Sequence, residues 1–275
     1  MFIHSIDHLM NIIEYSFLLK SLIISLWLSV VFALLGVFVF IKRMSFFSDG
    51  IAHSAILGLA LAFLFNFNIL LSALITGIIF SLLIYYLERK TKIHTDTLIG
   101  LVFVSSLSLG LILMSLKAGY QPELLNFLIG NILTISDFDF VLTIIFSILI
   151  LIFFLFQFSK LTLALLDPVE AKLRNLNVDF YEFLFYLILG ISIILGIKLV
   201  GVILITAFLV LPPAISSLVS NSFKSFYLLS IVFALMNVFW GFFISNFYNF
   251  PLGASIVISA SALFFLLFLI KSLIK

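Results

Sequence analysis

Nine apolar runs succeed one another near residues 17–41, 46–65, 69–87, 98–116, 139–158, 180–197, 199–219, 226–245 and 252–270, with short polar stretches between them. About 20 apolar residues at a helical rise of about 1.5 Å cover the roughly 30 Å of hydrocarbon in a bilayer. The pattern predicts an all-α, polytopic membrane protein with eight or nine transmembrane helices. The number turns on the pair 180–197 and 199–219, which Gly196, Gly201, Pro212 and Pro213 interrupt. Either two full spans or a bent, partial helix fits, since backbone breaks are tolerated where the freed groups face protein or a water-filled cavity.

Two connections carry structure of their own. Residues 117–138 hold an apolar run too short to span and are expected to form a re-entrant or interfacial helix on the outer side. Residues 160–179 predict a short surface helix, with Asp167 as N-cap, Pro168 at the first helical position and Glu170 at the third. No period of about 20 to 50 residues repeats. The chain, 1–275, therefore reads as a single transmembrane domain.

Composition makes the bilayer the solvent. Hydrophobic residues make up 64% of the chain and charged residues 9%, with a mean hydropathy of +1.39, values that water-soluble globular domains do not reach. Lys42, Arg43, Arg89, Lys90, Lys92, Lys160, Lys172, Arg174, Lys224, Lys271 and Lys275 fall on one side when the runs alternate, against Lys20, Lys117 and Lys198 on the other. By the positive-inside rule the richer side is cytoplasmic, which places the N-terminus outside and the C-terminus inside. The surface helix at 167–174 is then cytoplasmic. The first apolar run is too long for the h-region of a removable signal peptide. The net charge of +2 is small, and no nucleic-acid partner is expected.

With no cysteine in the chain, ligands to a soft metal could come only from His, Asp, Glu or backbone oxygens. The apolar run at 46–65 contains one acid and one histidine, Asp49 and His53. A spacing of four sets both on one helix face, where a carboxylate and an imidazole can converge on one ion. Burying a carboxylate beside hydrocarbon is costly, so a compensating cation is expected. Three alternatives stand beside one another: a mixed N/O metal site, a proton relay, or a helix start capped by Ser48 or Asp49 with the histidine as its bonded neighbour. Gly50, Ser54, Gly58 and Ala62 form an adjacent ridge of small residues, suited either to close helix approach or to lining a pathway.

The run KRMSFFSDGIAHSAILG resembles the signature of the permease subunits of bacterial zinc and manganese ABC importers, R-M-x-F-F-x-D-x-x-A-H-S. Five further blocks follow in that family's order: DTLIGLVFVSSLSLG, LLNFLIGNIL, LDPVEAKLRNLNV, KLVGVILITAFLVLPPA and FYNFPLGASIVI. The resemblance spans nearly the whole chain. It implies a multi-pass permease in the bacterial inner membrane that works as a homodimer with a cytoplasmic ATP-binding subunit dimer and an extracytoplasmic metal-binding protein. It implies metal-pathway roles for Asp49 and His53, with Gly50, Ser54 and Gly58 lining the path. It also makes the cytoplasmic surface helix a coupling helix, with Asp167, Glu170, Ala171, Lys172 and Arg174 at the ATPase; Lys172 and Arg174 alternatively meet lipid phosphates. Zinc is the expected cargo, most like the high-affinity zinc permeases, and no cofactor is held permanently. Val104 stands where many zinc members carry a second histidine, so manganese or iron is the alternative cargo.

The remaining polar residues have plainer expectations. Asp96 reads as a helix N-cap, His94 as a loop residue, and His4, Asp7 and His8 as an amphipathic lead-in. Glu123, Asp137 and Asp139 read as solvated loop acids. No G-x-x-x-x-G-K-[ST], H-E-x-x-H or G-x-S-x-G occurs, so the chain is not expected to be an enzyme. Its energy must then come from a separate ATPase subunit or, as in a proton-coupled secondary transporter, from an ion gradient.

Overall fold

The computed structural model describes residues 16–116 and 137–274, in ten helices. These are α1 (Ser16–Ile41), α2 (Phe47–Phe65), α3 (Ile69–Lys90), α4 (Thr95–Ser115), α5 (Asp137–Leu166), α6 (Pro168–Leu173), α7 (Val178–Val200), α8 (Val202–Val219), α9 (Phe223–Tyr248) and α10 (Leu252–Ile274). Nine of them, all but α6, are long and apolar enough to cross a membrane. There are no strands among the described residues. The expected re-entrant segment at 117–138 lies almost wholly outside the described residues, as do His4, Asp7, His8 and Glu123.

The ambiguous stretch at 180–219 resolves into two helices. Gly201, at φ 83°, separates α7 from α8 in a backbone conformation that residues with a Cβ avoid. Pro212 and Pro213 lie inside α8 without ending it, and both are buried. At 18 residues α8 is about 27 Å long, close to the hydrocarbon thickness.

The helices form two compact units. One holds α1 to Phe40, α5 to Ile148, and α8 to α10. Its helices meet at small residues: a Cβ on Gly36 would stand 3.0 Å from the Leu209 carbonyl carbon, and one on Gly241 would stand 2.7 Å from the Ile256 nitrogen. Hydroxyls bond across the same seams, from Ser216 to the Phe226 carbonyl at 2.6 Å and from Ser259 to the Asn237 carbonyl at 3.1 Å. In lipid there is no hydrophobic drive between helices, so close backbone approach and such bonds hold them together.

The other unit holds the α1–α2 turn, α2 to α4, α5 from Leu149, α6, and α7 to Lys198. Here α2 packs along both α3 and α4. The small-residue ridge is this seam: a Cβ on Gly50 would meet the Phe80 ring at 2.7 Å, and one on Gly58 the Ser72 carbonyl oxygen at 2.7 Å. Ser72 donates its hydroxyl to the Gly58 carbonyl at 2.6 Å, closing α3 onto α2.

Candidate metal pathway and coupling surface

Helix α2 starts earlier than capping by Ser48 or Asp49 requires. Its first residue is Phe47, Phe46 occupies the N-cap position, and no side chain caps it. Asp49 is therefore the third residue of the helix. A carboxylate there still opposes the positive end of the helix dipole, but it is not the cap. Arg43, in the left-handed region at φ 56°, and a Phe47 N–H bond to the Met44 carbonyl turn the chain tightly from α1 into α2. Asp96 needs the same correction. The N-cap of α4 is His94, without a side-chain bond, and Asp96 sits in the first turn.

From Phe47 to Ala62, α2 is buried except along one stripe: Asp49, His53, Leu57 and Leu61, each half-buried. The only acid and the only histidine of this helix thus share its one open edge. His53 Nδ1 lies 2.7 Å from the Asp49 backbone carbonyl. A carbonyl only accepts, so Nδ1 carries the hydrogen and Nε2 is the ring nitrogen outside this bond, the one a metal could meet. The ring stands edge-on to Phe103 of α4, 4.7 Å between centroids, which fixes its plane.

One imidazole and one carboxylate do not complete a coordination shell. Among the described residues no group of three or more His, Asp or Glu converges, whereas structural and transport zinc chemistry favours four ligands. Val104, one helix turn and more past Gly100, is exposed on α4 and brings no ligand.

The three ridge residues expected along a path divide their roles. Gly50 and Gly58 are filled by the α3 and α4 packing described above. Ser54 bonds to the Ile51 carbonyl at 2.7 Å and lines a cavity of about 300 Å³ between α2, α3 and α4, with Leu57, Thr76, Phe80 and Leu109 around it.

The surface helix α6 forms as its residues dictate. Asp167 Oδ1 accepts from the Glu170 N–H at 2.9 Å and Pro168 opens the helix. Glu170 forms an ion pair with Arg174 one turn on. Ala171 is fully buried and anchors the helix, while Lys172 is exposed. The sequence reading overlooked what α6 presents outward: Val169 and Leu173, 71% and 79% exposed. Their spacing of four was the available signal.

It also overlooked a charged cluster where the α1–α2 turn, the end of α3 and the start of α7 meet. Lys42 Nζ lies 3.3 Å from Glu182 Oε1 and 3.5 Å from Glu88 Oε2. The Tyr186 hydroxyl donates to Glu88, and the Thr95 hydroxyl donates to the other Glu88 oxygen at 2.9 Å. Nearby, Arg89 pairs with Asp179.

Residues 14–271 match the ABC 3 transport family. The chain belongs to that family. Among its relatives, the manganese import system permease protein ScaB of Streptococcus gordonii is 34% identical over 94% of this chain and 92% of its own length. The high-affinity zinc uptake system membrane protein ZnuB of Buchnera aphidicola is 32% identical over 84% of this chain and 89% of its own. A solved structure, PsaBC from Streptococcus pneumoniae in complex with Fab, superposes with a TM-score of 0.80 at 31% identity, covering 96% of this chain and 95% of that one. The resemblance read from the six sequence blocks is borne out for this ABC 3 family member, as is its multi-pass helical architecture. The relatives' names divide between manganese and zinc, so kinship alone does not choose the ion.

Proposed function

We propose that this chain is the membrane permease of an ATP-binding-cassette importer that moves a divalent transition metal into the cytoplasm. The observation that carries this reading is the position of Asp49 and His53 on the one half-buried stripe of α2 between Phe47 and Ala62. A carboxylate on such a stripe cannot face lipid without a large cost. A second copy of the chain covering it supplies another Asp49 and His53, and the four groups surround a passing ion. The metal is the substrate. A half-site on each copy suits transport, because separating the copies halves the ligand count and releases the ion.

In this reading an extracytoplasmic metal-binding protein delivers the ion, and an ATPase dimer docks on α6 from the cytoplasm of a bacterial cell. Asp167 and Glu170 keep α6 folded, Ala171 anchors it, and Lys172 and Arg174 meet the ATPase. The permease itself does no covalent chemistry.

Zinc is the proposed cargo, because two imidazoles and two carboxylates make a four-coordinate N/O set of the kind zinc takes. Manganese is the second reading, favoured by Val104 in place of a further imidazole and by the manganese-named relatives. Reconstitution of permease, ATPase and binding protein in proteoliposomes tests both levels. Metal uptake that requires ATP hydrolysis is expected, and uptake that persists without it defeats the proposal. Competition between zinc and manganese in the same vesicles assigns the ion.

A further inference from the structure

The charged cluster around Lys42 joins three pieces of chain that the transport reading needs to move together. Lys42 sits in the turn leading into α2, the helix that carries Asp49 and His53. Glu88 lies in the last turn of α3. Glu182 and Tyr186 lie in the first three turns of α7, which residues 174–177 join to α6. The side chains of Lys42, Glu182 and Glu88 are 11%, 19% and 26% exposed.

Tyr186 is fully buried and serves as the hub. Its hydroxyl donates to Glu88 and its backbone carbonyl accepts from the Ser81 hydroxyl of α3. Its ring meets the ring of Phe47, the first residue of α2, at 5.6 Å between centroids, and Lys42 Nζ lies 5.2 Å over it. Beyond the hub, α7 runs tightly along α3, where a Cβ on Gly190 would stand 2.9 Å from that of Ser81.

Two carboxylates share one ammonium here, with two hydroxyls making up the balance on Glu88. Such a buried network is a weak source of stability, since desolvation offsets most of the attraction. It is a strong constraint on geometry, because moving any member alone strips another of its partner. We infer that Lys42, Glu88, Glu182 and Tyr186 are positioning residues that transmit displacement of α6 through the start of α7 to the start of α2, and so couple ATP hydrolysis to opening of the Asp49/His53 site. This rests on the importer reading above. Continuous packing is the structural condition for such a route, and energetic coupling is what the experiment measures.

The test uses the complete complex of permease, ATPase and binding protein in proteoliposomes, with zinc or manganese as the transported probe. Hydrolysis and uptake are measured in the same vesicles for Glu182→Gln, Tyr186→Phe and the exchanged pair Lys42→Glu/Glu182→Lys. In Glu182→Gln and Tyr186→Phe, the complex assembles, ATP turnover stays within about twofold, and metal moved per ATP falls roughly tenfold, within the range of couplings carried by packed networks. The exchanged pair, which restores the ion pair between positions 42 and 182 but takes the ammonium from Glu88, regains only part of the lost ratio. Uptake and hydrolysis falling in proportion, an unchanged ratio, or loss of assembly in both single variants each overturns the inference. Failure of the importer reading shows up separately, as ATP-independent uptake by the unaltered complex.

Discussion

Two polar clusters in the same unit serve different ends in the proposed reading. Around Lys42 every carboxylate is matched by a protein group: an ammonium for Glu182, and an ammonium, a phenol and a hydroxyl for Glu88. On α2 the His53 ring spends one nitrogen on a backbone carbonyl and holds the other outside that bond, on the same half-buried edge as Asp49. A membrane protein keeps ionisable groups only where something compensates them. The first cluster is compensated within the chain and holds geometry. The second, in the proposed reading, meets a passing ion and the same two residues of a second copy.

If that contrast is right, it breaks most visibly under truncation. Asp49→Ala and His53→Ala are each expected to cut metal uptake by at least about a hundredfold, beyond the loss typical of groups that only support a ligand. Because both are only half-buried in the chain's own packing, the melting temperature of the isolated permease chain in detergent stays nearly unchanged. A large drop in thermal stability would instead class them with the Lys42 cluster.

The ridge beside them should respond the other way. Gly58→Val drives a side chain into the Ser72 backbone and is expected to cost about 1–3 kcal/mol, the usual penalty for overpacking. Thermal unfolding in detergent measures it. A variant as stable as the parent would show that the seam is looser than its contacts indicate.

Effects at α6 are expected to be smaller and confined to assembly. Val169→Ser with Leu173→Ser removes the exposed apolar pair and should weaken ATPase binding about tenfold, as loss of a modest hot spot does. Asp167→Ala removes the cap, worth about 1 kcal/mol to the helix. Glu170→Gln breaks an exposed i,i+4 pair worth about 0.3–0.5 kcal/mol and should leave co-purification of the ATPase nearly intact. Titration of the ATPase onto immobilised permease ranks the three. Loss of binding in Glu170→Gln equal to that of the apolar pair would mean that charge, not burial, makes the contact.

Much of the molecule could be read from residue order. The nine apolar runs became nine helices of membrane-spanning length, and the cap at Asp167, the proline at the first position of α6 and the four-residue spacing of Asp49 and His53 all formed as expected. These are local features, set by periodicity and by neighbours one turn away. What escaped depends on contacts distant in sequence. Whether Gly50 and Gly58 border a path or a seam is decided by Phe80 and Ser72 on α3. Lys42, Glu88 and Glu182 look in sequence like scattered charges at helix ends, and they become a cluster only when three chain segments meet. The start of α2 was misjudged for a related reason: Phe47, its first residue, packs on Tyr186 of α7, and no polar side chain caps the helix.

The central claim is that the charge of Asp49, and not its volume, carries the ion. Asp49→Asn preserves shape and packing while removing the negative charge, so ATP-driven metal uptake by the reconstituted complex carrying it is the most direct measurement. Uptake falling to the level of empty vesicles, with the complex intact and ATP still hydrolysed, is the predicted result. Uptake equal to that of the unaltered complex would contradict the account.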